Sequence, residues 1–405
     1  MLKVVHITTN IHGGAGKAAL RLHECMLDKT EVNSWIISAE SEISNSALNQ
    51  LSVKTKHPNY FQRVVKRCGF PIRRSEKNIK LLERYRGNYE IFSFPTSDYE
   101  LEKLDLINGA DIINLHWVSN FVNYPTFFKA FKNKPIVWTL HDMNPFMGGF
   151  HYRNDFLNNS KIHKLDAALF ETKRKAINQL KNLNIVAPST WLTNEATKSG
   201  LFNSSTTFET IPYSLNTNIF KPKDKLVSKR KYLINPNLPC ILIVAQNLSN
   251  HRKGFDLLLE ALNQLKNKNF QLISIGNSIL KFNDNITVFH LGTISDDDEL
   301  ATAYSAADLL IIPSREDNLP NVMLESLACG TPVLSFKTGG MKDWIIPDFN
   351  GLLASEGFNG IQSALEIFLT GSQYFDQKKI SSFAHREFGP LRQFENYFKL
   401  YSSIM

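Results

Sequence analysis

The 405-residue sequence has only four cysteines, Cys25, Cys68, Cys240 and Cys329, and no two of them form a C-x-x-C pair. That scarcity excludes a disulfide framework and a zinc site of the usual spacing, and isolated thiols fit a reducing, cytoplasmic setting. No apolar run reaches the length of a membrane-crossing helix, and "MLKVVHIT" is too short and too β-branched to be expected to act as a signal peptide. Internal repeats and low-complexity tracts are also missing, which argues against a solenoid or a disordered scaffold. Acidic residues are in deficit, with 38 Asp and Glu against 46 Lys and Arg, a formal charge of +8. One segment, residues 54–86, accounts for the whole imbalance, with eleven Lys or Arg against two Glu. No nucleic-acid module accompanies it, so nucleic acid is not an expected partner. Tyr60, Phe61, Val64, Val65 and Phe70 stand among these bases. The segment therefore reads either as a solvated helical face or as a surface for an anionic membrane leaflet.

The sequence otherwise has the composition of a globular chain, 43% apolar and 21% charged. Its length exceeds one ordinary core, so two domains are expected. In the first half, "LKVVHIT", "SWIIS", "DIINL", "IVWTL" and "NIVA" are short, β-branched and apolar, the pattern of strands buried on both faces of a parallel sheet. The segment from Ile211 to Pro239 is turn-rich and charged and reads as a linker. The alternation then restarts with "CILIVAQ", "FQLISIG", "ITVFHLG", "DLLIIPS" and "PVLSF", separated by helical patterns such as "GFDLLLEALNQLK". The expected fold class is α/β, with two Rossmann-like domains, 1–215 and 216–389, facing across a cleft. An amphipathic helix within 390–405 is expected to pack back on the first domain.

Between the first strand and the first helix lies "TTNIHGGAGKAALRLH", residues 8–23, a generic cradle for an anion. It is not a P-loop, because the first glycine position is Ile11 and the Ser/Thr position is Ala18. Gly14, Gly16 and Ala19 do fit G-x-G-x-x-A, with Glu40 beyond the next strand, so a dinucleotide site stays open on this loop alone. Further on, "SDDDEL" suggests a metal motif, but Ser295 with Asp298 three residues later reads as a helix cap.

The most informative stretch is "PSREDNLPNVMLESLACGTPVLSF", residues 313–336. A strand ends near Pro313, a polar loop carries Glu316 and Asp317, and Pro320 suits the first turn of a helix. That helix is apolar on nearly every face except for Glu325, and a carboxylate in a buried helix needs a polar partner or a ligand. Asp317 and Glu325 can face one pocket, with helix-end N–H groups between them suited to an anion. A sugar nucleotide supplies hydroxyls for the carboxylates and a diphosphate for the helix end.

This arrangement resembles the Glu-x7-Glu pattern of family-4 glycosyltransferases, with Asp317 in the first position and Glu325 in the second. "LACGTPVLSFKTGG" and "NHRKGFDLLLEAL" resemble that family's donor domain. "GGAGKAALRLH", "ADIINLHWV", "VWTLHDMNPFMGGFHY" and "VAPSTWL" resemble a polysaccharide-building, colanic-acid-type branch of it. The resemblance implies a GT-B fold and a retaining, metal-independent transfer from a nucleotide sugar, UDP- or GDP-linked, with no further cofactor. It implies that Glu325 binds the donor ribose, Asp317 the hydroxyls of the donor sugar, and His141 the sugar near the reacting carbon. Arg252 and Lys253, with the backbone N–H groups of Asn318 and Leu319, would neutralise the diphosphate, and Gly13 and Gly14 would let the first loop cover it.

The chain departs from the family in three places. Asp317 is shorter than the usual Glu, Asn247 stands where relatives carry Arg, and Phe150 stands where some carry Cys. The expected acceptor is a saccharide or lipid-linked saccharide of surface polysaccharide, lipopolysaccharide or capsule assembly, used at the inner face of the cell membrane. An NAD(P)-dependent oxidoreductase and a non-catalytic sugar-nucleotide-binding protein are the rival expectations.

Overall fold

The computed structural model describes residues 1–39, 45–55, 66–68, 71–85, 87–278, 280–282, 285–371 and 374–405. Glu40 and the apolar residues Tyr60, Phe61, Val64, Val65 and Phe70 of the basic segment lie outside the described residues. The chain forms two compact units: Met1–Ile211 with Phe394–Met405, and Pro212–Gln393.

The first unit is built on a seven-stranded sheet: β1 (Leu2–Ile7), β2 (Val32–Ser38), β3 (Gln50–Ser52), β4 (Ile112–Leu115), β5 (Ile136–Thr139), β6 (Leu183–Ala187) and β7 (Thr207–Thr210). Their order is β3-β2-β1-β4-β5-β6-β7, and every pair is parallel. Alternate residues of each strand serve opposite cores, as the pleat requires. Val5, Ile113, Ile136 and Ile185 face Phe121, Phe127, Phe128 and Trp138. Val4, Ile112, Val137 and Val186 face Leu22 and Met26 of α1 (Gly13–Leu27) on the other side. The same face is covered by Phe394, Tyr397, Leu400 and Tyr401 of the C-terminal helix, Pro390–Ser403.

The second unit carries a six-stranded parallel sheet: β8 (Cys240–Val244), β9 (Gln271–Ile275), β10 (Thr287–Gly292), β11 (Leu309–Ile312), β12 (Val333–Phe336) and β13 (Gly351–Ala354), ordered β10-β9-β8-β11-β12-β13. Ile241, Ile243, Leu272, Ile311 and Leu334 pack on Phe255, Leu258 and Leu262 of α2 (Phe255–Gln264) and on Ile361 and Leu365. Both sheets are doubly wound. The strand order reverses between β1 and β4 in one and between β8 and β11 in the other, and the carboxyl ends of those strands are where such sheets bind ligands.

Two expectations need correction. The supposed linker contains the helix Lys225–Lys231, in which Lys229 is buried and donates to Asp308 Oδ2 at 2.8 Å and to the Leu238 carbonyl at 3.1 Å. Its run of lysines hides this packing, because the one buried lysine looks like its exposed neighbours. The helix α3 (Asp297–Ala306) is capped by Asp296, whose carboxylate accepts from Glu299 N at 2.7 Å, one residue later than the Ser295 pattern implies.

Candidate functional site

At the switch point of the second sheet two loops interlock. Asn250 accepts from the Arg252 N–H and shapes a single tight turn, His251–Lys253, which Gly254 ends at φ +69 before α2 begins. The loop after β11 runs directly beneath it. A Cβ on Gly254 would stand 1.8 Å from the Pro313 carbonyl, so only glycine allows this approach. Arg315 N donates to the Arg252 carbonyl at 2.8 Å, and the Arg315 guanidinium holds Asp256. Gly339 lies just as close to the Asp317 carbonyl, at φ +57, and Gly340 N donates to the Asn318 carbonyl at 2.7 Å.

This packing delivers three of the expected residues to one place. Lys253 Nζ lies 2.6 Å from Asp317 Oδ2, and Arg252 Nη1 lies 3.6 Å from the same oxygen. Arg252 also donates to the Glu316 carbonyl at 3.0 Å. Burial raises the Asp317 carboxyl, but the Lys253 and Arg252 charges outweigh it and hold the group below the usual carboxylate range. The Asn318 N–H, expected to face a diphosphate, donates to Asp317 Oδ1 at 3.1 Å, and Leu319 is buried. Glu316 is buried as well, so it is not a solvated loop residue.

The helix α4 (Asn321–Ala328) follows, with Pro320 as its N-cap rather than in its first turn. Glu325 is 4% exposed, among Met323, Leu324, Leu327 and Ala328, which are fully buried. The Tyr304 hydroxyl of α3 donates to Glu325 Oε2 at 3.0 Å. The sequence gives little sign of that tyrosine, whose helix turns it wholly inward.

In the first unit, Gly13 takes φ +68 at the start of α1 and, like Gly14, is exposed. Gly14 and Gly16 belong to the helix's first turn rather than to a loop. Gly16 is required because a Cβ would meet Ile11 C at 2.6 Å and Asn10 O at 2.8 Å. His141 stands just past β5, partly exposed, with Nε2 3.2 Å from His116 Nδ1. Burial takes its pKa down to about 4 against the pull of Asp142, so it is neutral near pH 7.

The next residue, Asp142, anchors a second buried chain. It accepts from His151 Nδ1 at 2.6 Å, from Trp117 Nε1 at 2.8 Å and from Asn144 N at 2.9 Å, and His151 Nε2 meets Ser93 Oγ at 2.8 Å. The order Ser–His–Asp is that of a hydrolytic triad, but Ser93 and His151 are buried in the fold, so the chain fixes the 141–151 loop instead. Lys173 completes the support, donating to the carbonyls of Asn144 and Met147. Of the other histidines, His163 stacks on Phe156 at 4.0 Å. Among the described residues no group of His, Cys, Asp or Glu is placed to hold a metal ion, and no helix is long and apolar enough to cross a membrane.

Residues 224–374 match the family of glycosyl transferases, group 1. They fall wholly within the second unit, which is therefore the part of the chain similar to that family. An uncharacterized glycosyltransferase of Methanocaldococcus jannaschii is 24% identical over 266 residues, 62% of this chain and 65% of that protein. The chain spans about a third to two thirds of the length of such curated relatives. Among solved structures, sucrose-phosphate synthase from Thermosynechococcus elongatus matches over 100% of both chains with TM-score 0.69 at 16% identity. Anabaena HepE in complex with UDP and glucose matches over 100% of both with TM-score 0.67 at 14% identity. The fold is thus the two-domain α/β fold of these proteins, GT-B.

Proposed function

We propose that this chain, whose second unit matches the group 1 glycosyl transferase family, moves a sugar from a nucleotide donor to a saccharide acceptor with retention of configuration and without a metal. The observation that carries the reading is Glu325, a carboxylate held inside an apolar helix directly after the loop that pairs Asp317 with Lys253 and Arg252. A carboxylate buried in an apolar helix is costly to maintain, and a nucleotide ribose offers it two hydroxyl donors. HepE, which shares the fold, is seen with UDP and glucose, and this supports a UDP-linked donor here, with a GDP-linked one as the other candidate.

The residues then divide the work. Glu325 takes the ribose. Lys253 and Arg252 exchange part of their hold on Asp317 for the diphosphate, whose charge grows as the glycosidic bond breaks. Asp317 turns to hydroxyls of the donor sugar, and His141 of the first unit meets that sugar near its reacting carbon. The loop at Gly13 and Gly14 covers the phosphates, with Asn318 and Leu319 at the second loop. The acceptor attacks from the face the leaving group departs, and the diphosphate takes its proton. A surface-polysaccharide intermediate on a lipid carrier is the proposed acceptor, with residues 54–86 as the contact to an anionic leaflet.

A thermal-shift panel of sugar nucleotides tests the reading, because ligand at a hundredfold over Kd adds about 2.7 kcal/mol of apparent stability. Glu325→Ala is expected to abolish the shift, and His141→Ala to keep it while cutting turnover at least tenfold. If no nucleoside diphosphate or sugar nucleotide raises the melting temperature, the reading is wrong.

A further inference from the structure

His141 does not stand alone at the end of β5. Its Nε2 meets His116 Nδ1 at 3.2 Å, and His116 Nε2 meets His6 Nδ1 at 3.0 Å. The same His6 nitrogen receives Asn114 Nδ2 at 3.2 Å, and Asn114 Nδ2 also donates to the Tyr401 hydroxyl at 3.0 Å. Asn114 Oδ1 accepts from Thr139 Oγ1 at 3.2 Å, and that hydroxyl contacts the Tyr397 hydroxyl at 2.9 Å. The line thus runs from two tyrosines of the C-terminal helix, through β4 and β1 at the switch point, to the partly exposed ring of His141. His6, Asn114 and His116 are completely or almost completely buried.

We propose that this line is a positioning relay in which the Asn114 amide fixes the tautomer of His141, leaving its proton on Nε2 and its Nδ1 unprotonated. A neutral imidazole has one donor and one acceptor nitrogen. Asn114 Nδ2 can only donate, so His6 Nδ1 is an acceptor. His116 Nε2, facing the same acceptor, must then carry its proton, and this leaves His116 Nδ1 bare. His141 Nε2 must in turn donate to His116 Nδ1. Burial lowers the pKa of His6 and His116 far below 6.5, which keeps the line neutral and its polarity defined.

With Nδ1 of His6 an acceptor, its proton lies on Nε2, which is buried with no partner. Native folds rarely leave such a group, and one that they do leave calls for a reason. Here the reason is direction, since an alternating line of donors transmits the amide's orientation over three rings. An unprotonated Nδ1 on His141 is a hydrogen-bond acceptor, the polarity suited to a hydroxyl of the substrate. The opposite tautomer would present an N–H there. The inference rests on the glycosyltransferase reading only for what that hydroxyl belongs to; the tautomer itself does not depend on it.

Long-range proton–nitrogen NMR of the full-length protein, labelled with 15N-histidine, reads the tautomer without turnover. The expected spectrum at neutral pH shows His141 as a single Nε2–H form. A predominant Nδ1–H form would overturn the proposal, even if the protein binds sugar nucleotides. Asn114→Ala removes the directing group. It is expected to give both tautomers of His141 and a five- to twentyfold lower kcat, with the UDP-sugar thermal shift unchanged. A single Nε2–H signal and wild-type kcat in this variant would equally overturn it. If Asn114→Ala does not fold, the wild-type spectrum alone decides. Loss of sugar-nucleotide binding by the wild type would instead refute the functional reading and leave the tautomer result standing.

Discussion

Asp317 is held between two cations, Lys253 and Arg252. The unfolded carboxyl titrates near its ordinary value and the folded one below it, so the pairing contributes stability that is full above about pH 4. That contribution disappears as pH falls through the folded value. Asp317→Asn is therefore expected to flatten the acid limb of the stability curve and to cost roughly 1–2 kcal/mol at pH 7, less than a fully buried pair because Lys253 keeps 26% of its surface. Lys253 and Arg252 are then unopposed, so UDP alone binds at least as tightly as to wild type. The added affinity of a UDP-sugar over UDP is lost. Melts from pH 3 to 7 and titration calorimetry with the two ligands measure both effects. Wild-type preference for the sugar in the variant would remove Asp317 from sugar recognition. The two acidic positions were legible in the sequence because each carboxylate breaks a local pattern, one an apolar helix and the other a proline-flanked loop. Lys253 and Arg252, which hold Asp317, were named there only for a diphosphate, and Tyr304 and the Arg315–Asp256 clasp were not legible, since they come from elements whose own patterns are ordinary.

At the scale of elements, the site depends on loops made rigid by glycine and by buried charge. Gly254→Ala places a side chain at φ +69 and against the Pro313 carbonyl. The expected cost is about 2–3 kcal/mol, read as a lower chemical-denaturation midpoint. Nucleotide binding falls with it, because Arg252 and Lys253 lose their platform; unchanged nucleotide affinity would show that the interlocked turn is not what presents them. The 141–151 loop is held differently. Lys173 is buried, and burial drives its pKa from 10.5 to about 7 against the attraction of Asp166 and Asp142. Between these values the unfolded chain binds the extra proton, so stability rises with pH by up to about 1.4 kcal/mol per unit. Lys173→Met is expected to lose that slope from pH 7 to 10, followed by melts across the window; an unaltered slope would mean that Lys173 keeps its ordinary affinity for protons. In sequence, the strands with continuous β-branched runs were readable because both faces are buried. β7, the short β3 and the helix Lys225–Lys231 were not, since edge position and snorkelling lysines leave a polar pattern.

For the whole molecule, the two doubly wound sheets divide the proposed chemistry unequally. Arg252, Lys253, Asp317 and Glu325 all belong to the second unit, whereas His141 and the Gly13–Gly14 helix start belong to the first. The repetition of strand and helix made this two-sheet plan readable. The final helix was legible as an amphipathic pattern expected to pack back on the first domain; periodicity states which face is apolar but not which residues that face covers. The unequal division has a measurable outcome in hydrogen–deuterium exchange. A nucleoside diphosphate alone is expected to protect amides of residues 245–256 and 313–328, where the cations and the proposed ribose carboxylate stand, and of residues 12–16, proposed to cover the phosphates. A sugar nucleotide is expected to extend protection to residues 139–144, because in the proposed reading only the sugar calls on His141. The ratio of the two patterns isolates the sugar from the nucleotide without requiring the acceptor. Protection confined to the second unit with the full donor would leave His141 and its relay without a substrate to hold, and a protein that binds the nucleotide without positioning the sugar for transfer.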